Sequence, residues 1–213
     1  MLTAKSLAIS TNFFAQDLLD TLQDKDPIFA AFEAQDVSRA VGFDFATMPD
    51  VLERALDEVR ETREAFEETG DDAHDHFGDE IADLAFSLTN LIRHKGAARN
   101  DLVRISDLKP AKEAGADVID STETIADNMR TIASEDTELA ESMNVYNNAM
   151  QACAQLATSY GFEVGTLLRA NVSKYLIRCA AIETLAAEDG KDWGDLYSDR
   201  EIVAYWKRAK SIL

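Results

Sequence analysis

Acidic side chains recur at helical spacing in the stretch GDEIADLAFSLTNLIRHKG, residues 78–96. On a helix, positions three and four apart share a face, so these polar side chains would form one ridge. The polar ridge consists of Glu80, Asp83, Ser87, Asn90 and His94. It borders an apolar stripe made of Ile81, Leu84, Ala85, Leu88, Leu91 and Ile92. Carboxylates this close to a core are costly to bury without partners, so the ridge is a candidate binding site.

A second acid pair lies in the preceding segment, PDVLERALDEVRETREAFEE, residues 49–68. Glu58 and Glu61, with Arg54 one turn earlier, follow the edge of its apolar face. Two neighbouring helices would then bring four carboxylates into one cleft, as bundles do when they bind hard divalent cations through oxygen ligands.

The competing interpretation is that these acids are solvent-facing or helix-capping. With 40 acids in 213 residues, chance alone gives roughly seven acid pairs at this spacing. Spacing therefore does not establish a metal site. His74 and His76 are expected to be exposed loop residues rather than zinc ligands, because no third nitrogen or sulfur ligand lies near them in the sequence.

Composition favours one all-α domain spanning residues 1–213. The chain is 46% hydrophobic with only 9 Gly and 3 Pro, which favours helices over a β sandwich. The net charge of −19 argues against a long nucleic-acid partner, since such partners are held by Lys and Arg. A small phosphorylated ligand would need bound cations and a few local basic residues.

Cysteine usage and hydropathy predict a cytoplasmic, soluble protein. Cys153 and Cys179 fall in helical patterns and are expected to be small buried hydrophobes rather than a disulfide framework. No run approaches the roughly 18 apolar residues of a membrane span, and the N-terminus lacks a long apolar core. We therefore expect no membrane partner.

Capping and breaking signals divide the chain into helices. The first is expected over about 10–34, broken near DKDP. Thr47, Pro49 and Asp50 indicate a helix start, with the helix running to about Glu68. Gly70 separates it from a helix that ends at Gly96, so these two helices should pack antiparallel.

The second half of the chain is less regular at first. Residues 97–121 contain Pro110 and Gly115 and are interpreted as a loop, and the whole insert spans about 97–136. Helices are expected over about 122–160, interrupted near SEDT, and then over about 162–187 and 198–213.

The acid helices resemble the MazG family of nucleoside triphosphate pyrophosphohydrolases. The resemblance rests on a Gly-Phe-Asp-Phe lead at 42–45, on Asp57-Glu58-x-x-Glu61, and on Glu80-x-x-Asp83 running to Asn90. The segment LLRANVSKYLIR is similar to the family's basic helix. Together these cover about residues 38–96 and 155–185. The sequence departs from the family pattern at Phe45, Asp57 and Ala82, where Trp, Glu and Gly are common.

The resemblance implies a MazG-like helical bundle with an inserted loop and an extra helix around residues 137–160. About sixty residues separate the second acid helix from the basic helix, which many relatives join by a short turn.

The resemblance also implies a chemistry. Glu58, Glu61, Glu80 and Asp83 would hold Mg²⁺, for which Mn²⁺ can substitute. Water would attack the α-phosphorus of a nucleoside triphosphate, canonical or modified and expected to be a deoxynucleotide, releasing nucleoside monophosphate and pyrophosphate. Glu61 or Glu58 would act as general base.

Basic and amide side chains complete the implied site. Lys174 would act in catalysis by holding the outgoing phosphates, together with Arg178 and Arg54. Asn90 and Asn171 would recognise sugar or base, although helix-end or interhelical hydrogen bonding is the alternative for both.

Two other functions stay open at this stage. One is the related phosphoribosyl-ATP pyrophosphohydrolase reaction. The other is a non-enzymatic acidic helical interaction module. Relatives associate through their helices, so a homodimer is expected, with a monomer as the rival if the insert covers the bundle within one chain.

Overall fold

The computed structural model describes residues 21–22, 24–40, 47–191, 204–205, 207–209 and 211. Every regular element in these residues is helical, which confirms the all-α class. The α-helices are α1 (Pro27–Ala40), α2 (Met48–Glu67), α3 (Ala73–His94), α4 (Val118–Ala133), α5 (Leu139–Ser159) and α6 (Val164–Glu188). Two 3-10 turns, Arg99–Asp101 and Ile105–Asp107, lie between α3 and α4. The Gly-Phe-Asp-Phe lead and the first twenty residues lie outside the described part.

The chain forms two compact units. The bundle unit consists of the described residues within 26–32 and 46–171, and the terminal unit of those within 1–25, 33–45 and 172–213. Helices α1 and α6 each have residues in both units. The expectation of a single domain stays a prediction.

Four helices lie entirely within the bundle unit. Helix α2 packs against α3 and against α4, and α5 packs against α4 and against α3. The arrangement is thus two antiparallel hairpins side by side. Its largest fully buried side chains are Ile28, Ile81, Leu84, Leu88, Leu91, Ile92, Ile125, Met129, Ile132, Tyr146, Met150 and Leu156.

The burial of the α3 side chains follows the periodicity of its sequence. All six residues of the apolar stripe are completely buried, and all five residues of the polar ridge are half-buried. The predicted position of the ridge at the edge of the core is therefore confirmed.

Local signals set the beginning and end of the first hairpin. The Thr47 side chain caps the Asp50 backbone N–H, and the Asp50 carboxylate accepts from the Thr47 N–H at 2.7 Å. This reciprocal capping box satisfies donors that a helix start leaves unpaired. Gly96 follows α3 with a φ of +101°, a left-handed conformation that glycine adopts without a steric penalty.

A buried hydroxyl pair joins α3 to α5. The Tyr146 side chain is fully buried, and its hydroxyl lies 3.3 Å from Thr89 Oγ1. The Thr89 hydroxyl donates in turn to the Ala85 carbonyl. Burial raises the pKa of Tyr146, so this phenol stays neutral and serves the packing of the core.

The connection between α3 and α4 is a loop, as predicted, but it ends earlier than expected. Helix α4 begins at Val118 rather than Thr122, because Asp117 caps the backbone N–H of Asp120 at 3.0 Å. The Gln151 side chain of α5 anchors the loop by bonding both the N–H and the carbonyl of Lys109. The insert therefore includes α4 and leads into α5, and both are integral helices of the bundle.

The terminal unit has its own small core. A helical segment at residues 204–205, 207–209 and 211 agrees with the predicted C-terminal helix. Tyr205 and Ala209 are buried in a cluster with residues of α6. The Tyr205 hydroxyl and the Arg208 guanidinium both donate to Asp189, which lowers the pKa of Asp189.

Both cysteines are buried, free and helical, as expected. Burial raises the pKa of Cys153 to about 12, so its thiol stays protonated at neutral pH. In the described part of the chain, no helix combines the length and the apolar character that crossing a bilayer requires.

Candidate metal centre

Three of the four predicted carboxylates converge between α2 and α3. One carboxylate oxygen from each of Glu58, Glu61 and Glu80 lies within 4.8 Å of the other two. The α2–α3 turn aligns the two helices so that the i, i+3 pair of α2 faces the first acid of the ridge. A pair from one helix and a single residue from its neighbour thus form the carboxylate trio, meaning Glu58, Glu61 and Glu80.

The three carboxylates of the trio differ in their exposure to solvent. The Glu80 side chain is only 13% exposed, Glu58 is half-buried, and the Glu61 side chain is 47% exposed. Exposed acidic groups are common without a metal, but the trio differs because its members approach from two helices at the edge of a core. Three oxygen donors with no nitrogen or sulfur suit a hard divalent cation such as Mg²⁺ or Mn²⁺.

Asp83 stands apart from the trio. It lies one turn beyond Glu80 on the polar ridge, where its carboxylate accepts a hydrogen bond from the Asn171 side-chain amide. Asn171 is 5% exposed, so this bond is an interhelical contact between α3 and α6. The structure thereby gives Asn171 the alternative role weighed from sequence, and its contact with substrate stays a prediction. A metal role for Asp83 also stays a prediction.

A buried threonine fixes the spacing of the two acid helices. Thr62 is completely buried, and its hydroxyl lies 2.7 Å from the Glu58 carbonyl and 3.4 Å from the Glu80 carbonyl. It therefore touches the backbone of two members of the trio at once. Thr62 was not predicted from the sequence, where its one signal is a polar side chain four positions after Glu58 on an otherwise apolar face.

His76 connects the trio to the end of α2. Its Nε2 atom lies 3.2 Å from Glu80 Oε1, and its Nδ1 atom lies 2.8 Å from Glu68 Oε2. The hydrogen bond with Glu68 is the main cause of a raised pKa for His76. The expectation of loop histidines was wrong in one respect: His74 and His76 are exposed, as predicted, but belong to the first turns of α3. The turn after Gly70 is so short that the helix has already begun at Ala73.

The remaining predicted residues lie on three helices, α2, α3 and α6. Arg54 is exposed on α2, one turn before Glu58, and Asn90 is half-buried on the polar ridge. Lys174 and Arg178 follow Asn171 along α6 at helical spacing, but they belong to the terminal unit. Their contribution to the site stays a prediction.

In comparisons with known proteins, no family model, curated protein or solved structure matches the chain.

Proposed function

We propose that the protein is a Mg²⁺-dependent nucleoside triphosphate pyrophosphohydrolase. The observation that supports this proposal is the carboxylate trio, in which Glu58, Glu61 and Glu80 approach within 4.8 Å across two packed helices. The order and spacing of the acid motifs, which resemble those of the MazG family, supply the choice of substrate. Deoxynucleoside triphosphates are the proposed substrates.

The trio fits the task that the reaction sets. A nucleoside triphosphate carries close to four negative charges, and a chain with a net charge of −19 repels it unless cations intervene. A bound divalent ion would supply charge neutralisation and activation of water. Glu58, Glu61 and Glu80 would hold the ion, and Asp83, one turn further along the polar ridge, is the fourth proposed ligand.

Glu61 is the proposed general base. It is the most exposed member of the trio, so a water molecule can reach it, and a carboxylate within hydrogen-bond reach can accept the proton as water attacks. The new bond joins the water oxygen to the α-phosphorus, and the bond from that phosphorus to the bridging oxygen breaks. Pyrophosphate then leaves, with Lys174 and Arg178 as its proposed cationic partners.

The deciding experiment measures pyrophosphate release from a panel of nucleoside triphosphates, deoxynucleoside triphosphates and phosphoribosyl-ATP, with millimolar Mg²⁺ or with EDTA. We expect Mg²⁺-dependent release that Glu58→Gln, Glu61→Gln, Glu80→Gln and Asp83→Asn each abolish. Mg²⁺ or Mn²⁺ should also raise the melting temperature of the wild type, because the ion binds only the folded chain.

Glu64→Gln is the matched control. Glu64 lies three positions beyond Glu61 on α2 but is exposed and paired with Arg60 at 2.9 Å, so this variant should keep full activity. Pyrophosphate release that EDTA does not reduce would contradict the proposal. So would a wild-type melting temperature that Mg²⁺ does not change. Turnover of phosphoribosyl-ATP alone would favour the related reaction of that nucleotide, and no turnover with any nucleotide would favour an interaction module.

A further inference from the structure

We infer that His76, held by Glu68, is a positioning residue for the Glu80 carboxylate and raises the affinity of the trio for a divalent cation. The inference rests on the proposed function, since it assumes that the trio binds metal. Its geometry is a chain of three side chains, Glu68–His76–Glu80, which we call the imidazole bridge.

The imidazole bridge restrains Glu80 from one side. His76 precedes Glu80 by one helical turn, so the two side chains lie on the same face of α3, with 3.2 Å between His76 Nε2 and Glu80 Oε1. The other carboxylate oxygen, Oε2, is buried. A glutamate has three rotatable bonds, and fixing them costs conformational entropy that a metal ion would otherwise have to offset. Contact on one oxygen and burial of the other leave this carboxylate little freedom.

Glu68 fixes the ring itself. It follows the last residue of α2, and its Oε2 lies 2.8 Å from His76 Nδ1. Because each ring nitrogen faces a carboxylate oxygen, the imidazole cannot rotate without losing its hydrogen bond with Glu68. Partners of this kind, which hydrogen-bond a ligand without touching the metal, typically change metal affinity 10–100-fold when removed.

His74 provides the matched control. It lies in the first turn of the same helix, where its ring stacks on Phe162 at 4.3 Å between centroids and its Nε2 atom lies 3.1 Å from the Tyr160 carbonyl. Its described contacts do not include the trio. His74→Ala, like His76→Ala, removes a histidine from the start of α3, but it leaves the contact with Glu80 in place.

A purely structural role for the imidazole bridge makes a different prediction. If the bridge only ties the end of α2 to the start of α3, then His76→Ala lowers the melting temperature of the metal-free protein and leaves metal affinity alone. If the bridge positions Glu80, metal affinity falls, and His76→Gln restores part of it because a glutamine amide can still donate to Glu80 from the preceding turn.

The experiment measures Mn²⁺ binding to the full chain by titration, following free Mn²⁺ by electron paramagnetic resonance at one fixed pH. Wild type, His76→Ala, His76→Gln, Glu68→Ala and His74→Ala are compared, with metal-free melts of each. We expect His76→Ala to weaken Mn²⁺ binding at least tenfold and His74→Ala to bind Mn²⁺ as tightly as the wild type. The Mn²⁺ affinities of Glu68→Ala and His76→Gln should lie between those of the wild type and His76→Ala.

Two results would overturn the inference, and they differ in what they imply. Wild type that binds Mn²⁺ while His76→Ala binds equally well would overturn the positioning role and leave the proposed function standing. Wild type that does not bind millimolar Mn²⁺ would overturn both.

Discussion

Three of the predicted metal ligands, Glu61, Glu80 and Asp83, have different environments. These differences suggest different roles for side chains of similar chemistry. Glu80 is enclosed, with an imidazole on one oxygen. Glu61 is open to solvent and lies 3.7 Å from the Arg60 guanidinium. Asp83 accepts from a buried amide. Roles that the sequence could only assign as a group can therefore be tested one residue at a time.

The Asn171 amide should contribute measurably to stability. Asn171→Ala removes a hydrogen bond to a half-buried carboxylate, and such bonds to charged groups contribute about 2 kcal/mol. We expect a loss of that size in the free energy of unfolding, measured in urea, and a smaller loss from Asn148→Ala, an exposed asparagine on α5.

A double-mutant cycle with Asp83→Ala checks the assignment of that energy. Since the two side chains contact each other, the losses from the single variants should not add. Additive losses would show that Asn171 stabilises α6 by packing alone.

A substitution at Lys174 tests the role of its charge without disturbing the fold. Lys174→Ala should lower kcat for pyrophosphate release by about 100-fold, the effect typical of removing one group that stabilises developing charge. The helix should persist, because alanine is a good helix former. Steady-state kinetics against Lys112→Ala, an exposed loop lysine, provide the comparison. Unchanged kcat and KM would make Lys174 an ordinary structural lysine.

At the scale of elements, helix α2 carries two members of the trio, and its first turn is set by two side chains. Thr47→Ala should cost about 1 kcal/mol, as is typical for loss of an N-cap hydroxyl. The hydrogen bond that the Thr47 side chain makes with the Asp50 carboxylate is also the main cause of a lowered pKa for Asp50. Asp50→Ala should therefore destabilise the protein in a pH-dependent way.

The direction of that pH dependence follows from the lowered pKa. A carboxyl that binds its proton less tightly in the folded state stabilises the fold above the ordinary aspartate pKa. That contribution disappears as the pH falls through the lowered value. Urea unfolding of wild type and Asp50→Ala should differ at pH 7 and converge in acid, below the ordinary value of 3.8. A difference that persists unchanged in acid would exclude the capping carboxylate as its source.

The hairpin could be predicted closely because its signals are local. Thr47, Gly70 and Gly96 act within a few residues of themselves, and the predicted ends of α2 and α3 agree with the structure to within about two residues. Helix α4 was placed four residues late because its cap, Asp117, lies in a polar loop where any acid could have been solvent-facing.

The site was predictable in composition but not in arrangement. Helical spacing identified Glu58, Glu61 and Glu80 as neighbours of the core, since a single periodicity fixes which face each occupies. The bond from Asn171 to Asp83 joins residues 88 positions apart, and no local pattern encodes it. The imidazole bridge depends on the turn geometry that brings Glu68 and His76 together, so exposure alone could not reveal it.

At the scale of the whole molecule, the net charge bears on the proposed function. A net charge of −19 raises self-repulsion, and a carboxylate trio at a core edge adds to it locally. Cation binding would relieve both, so the trio and the overall composition favour the ligand of the proposed function. Under that proposal, bound cations would let an acidic chain accept a phosphorylated substrate.

Assembly is the property that the bundle leaves most open to test. Five apolar residues at helical spacing on α5 differ in burial: Tyr146, Met150 and Ala154 are buried within the chain, whereas Leu139 is 40% exposed and Met143 is half-buried. A second copy could therefore bury only the first turns of α5. A homodimer remains the expected state, because a two-fold axis buries the same patch on both copies at once.

Leu139→Glu tests that interface without weakening the helix, since an acid in the first turn interacts favourably with the helix dipole. Light scattering after size exclusion should give twice the 23.5 kDa of one chain for the wild type, and a single-chain mass for Leu139→Glu. A matched Glu141→Gln variant, changed at an exposed acid of the same turn, should stay dimeric. A wild-type mass of one chain at micromolar concentration, with activity retained, would show that the insert completes a self-contained bundle.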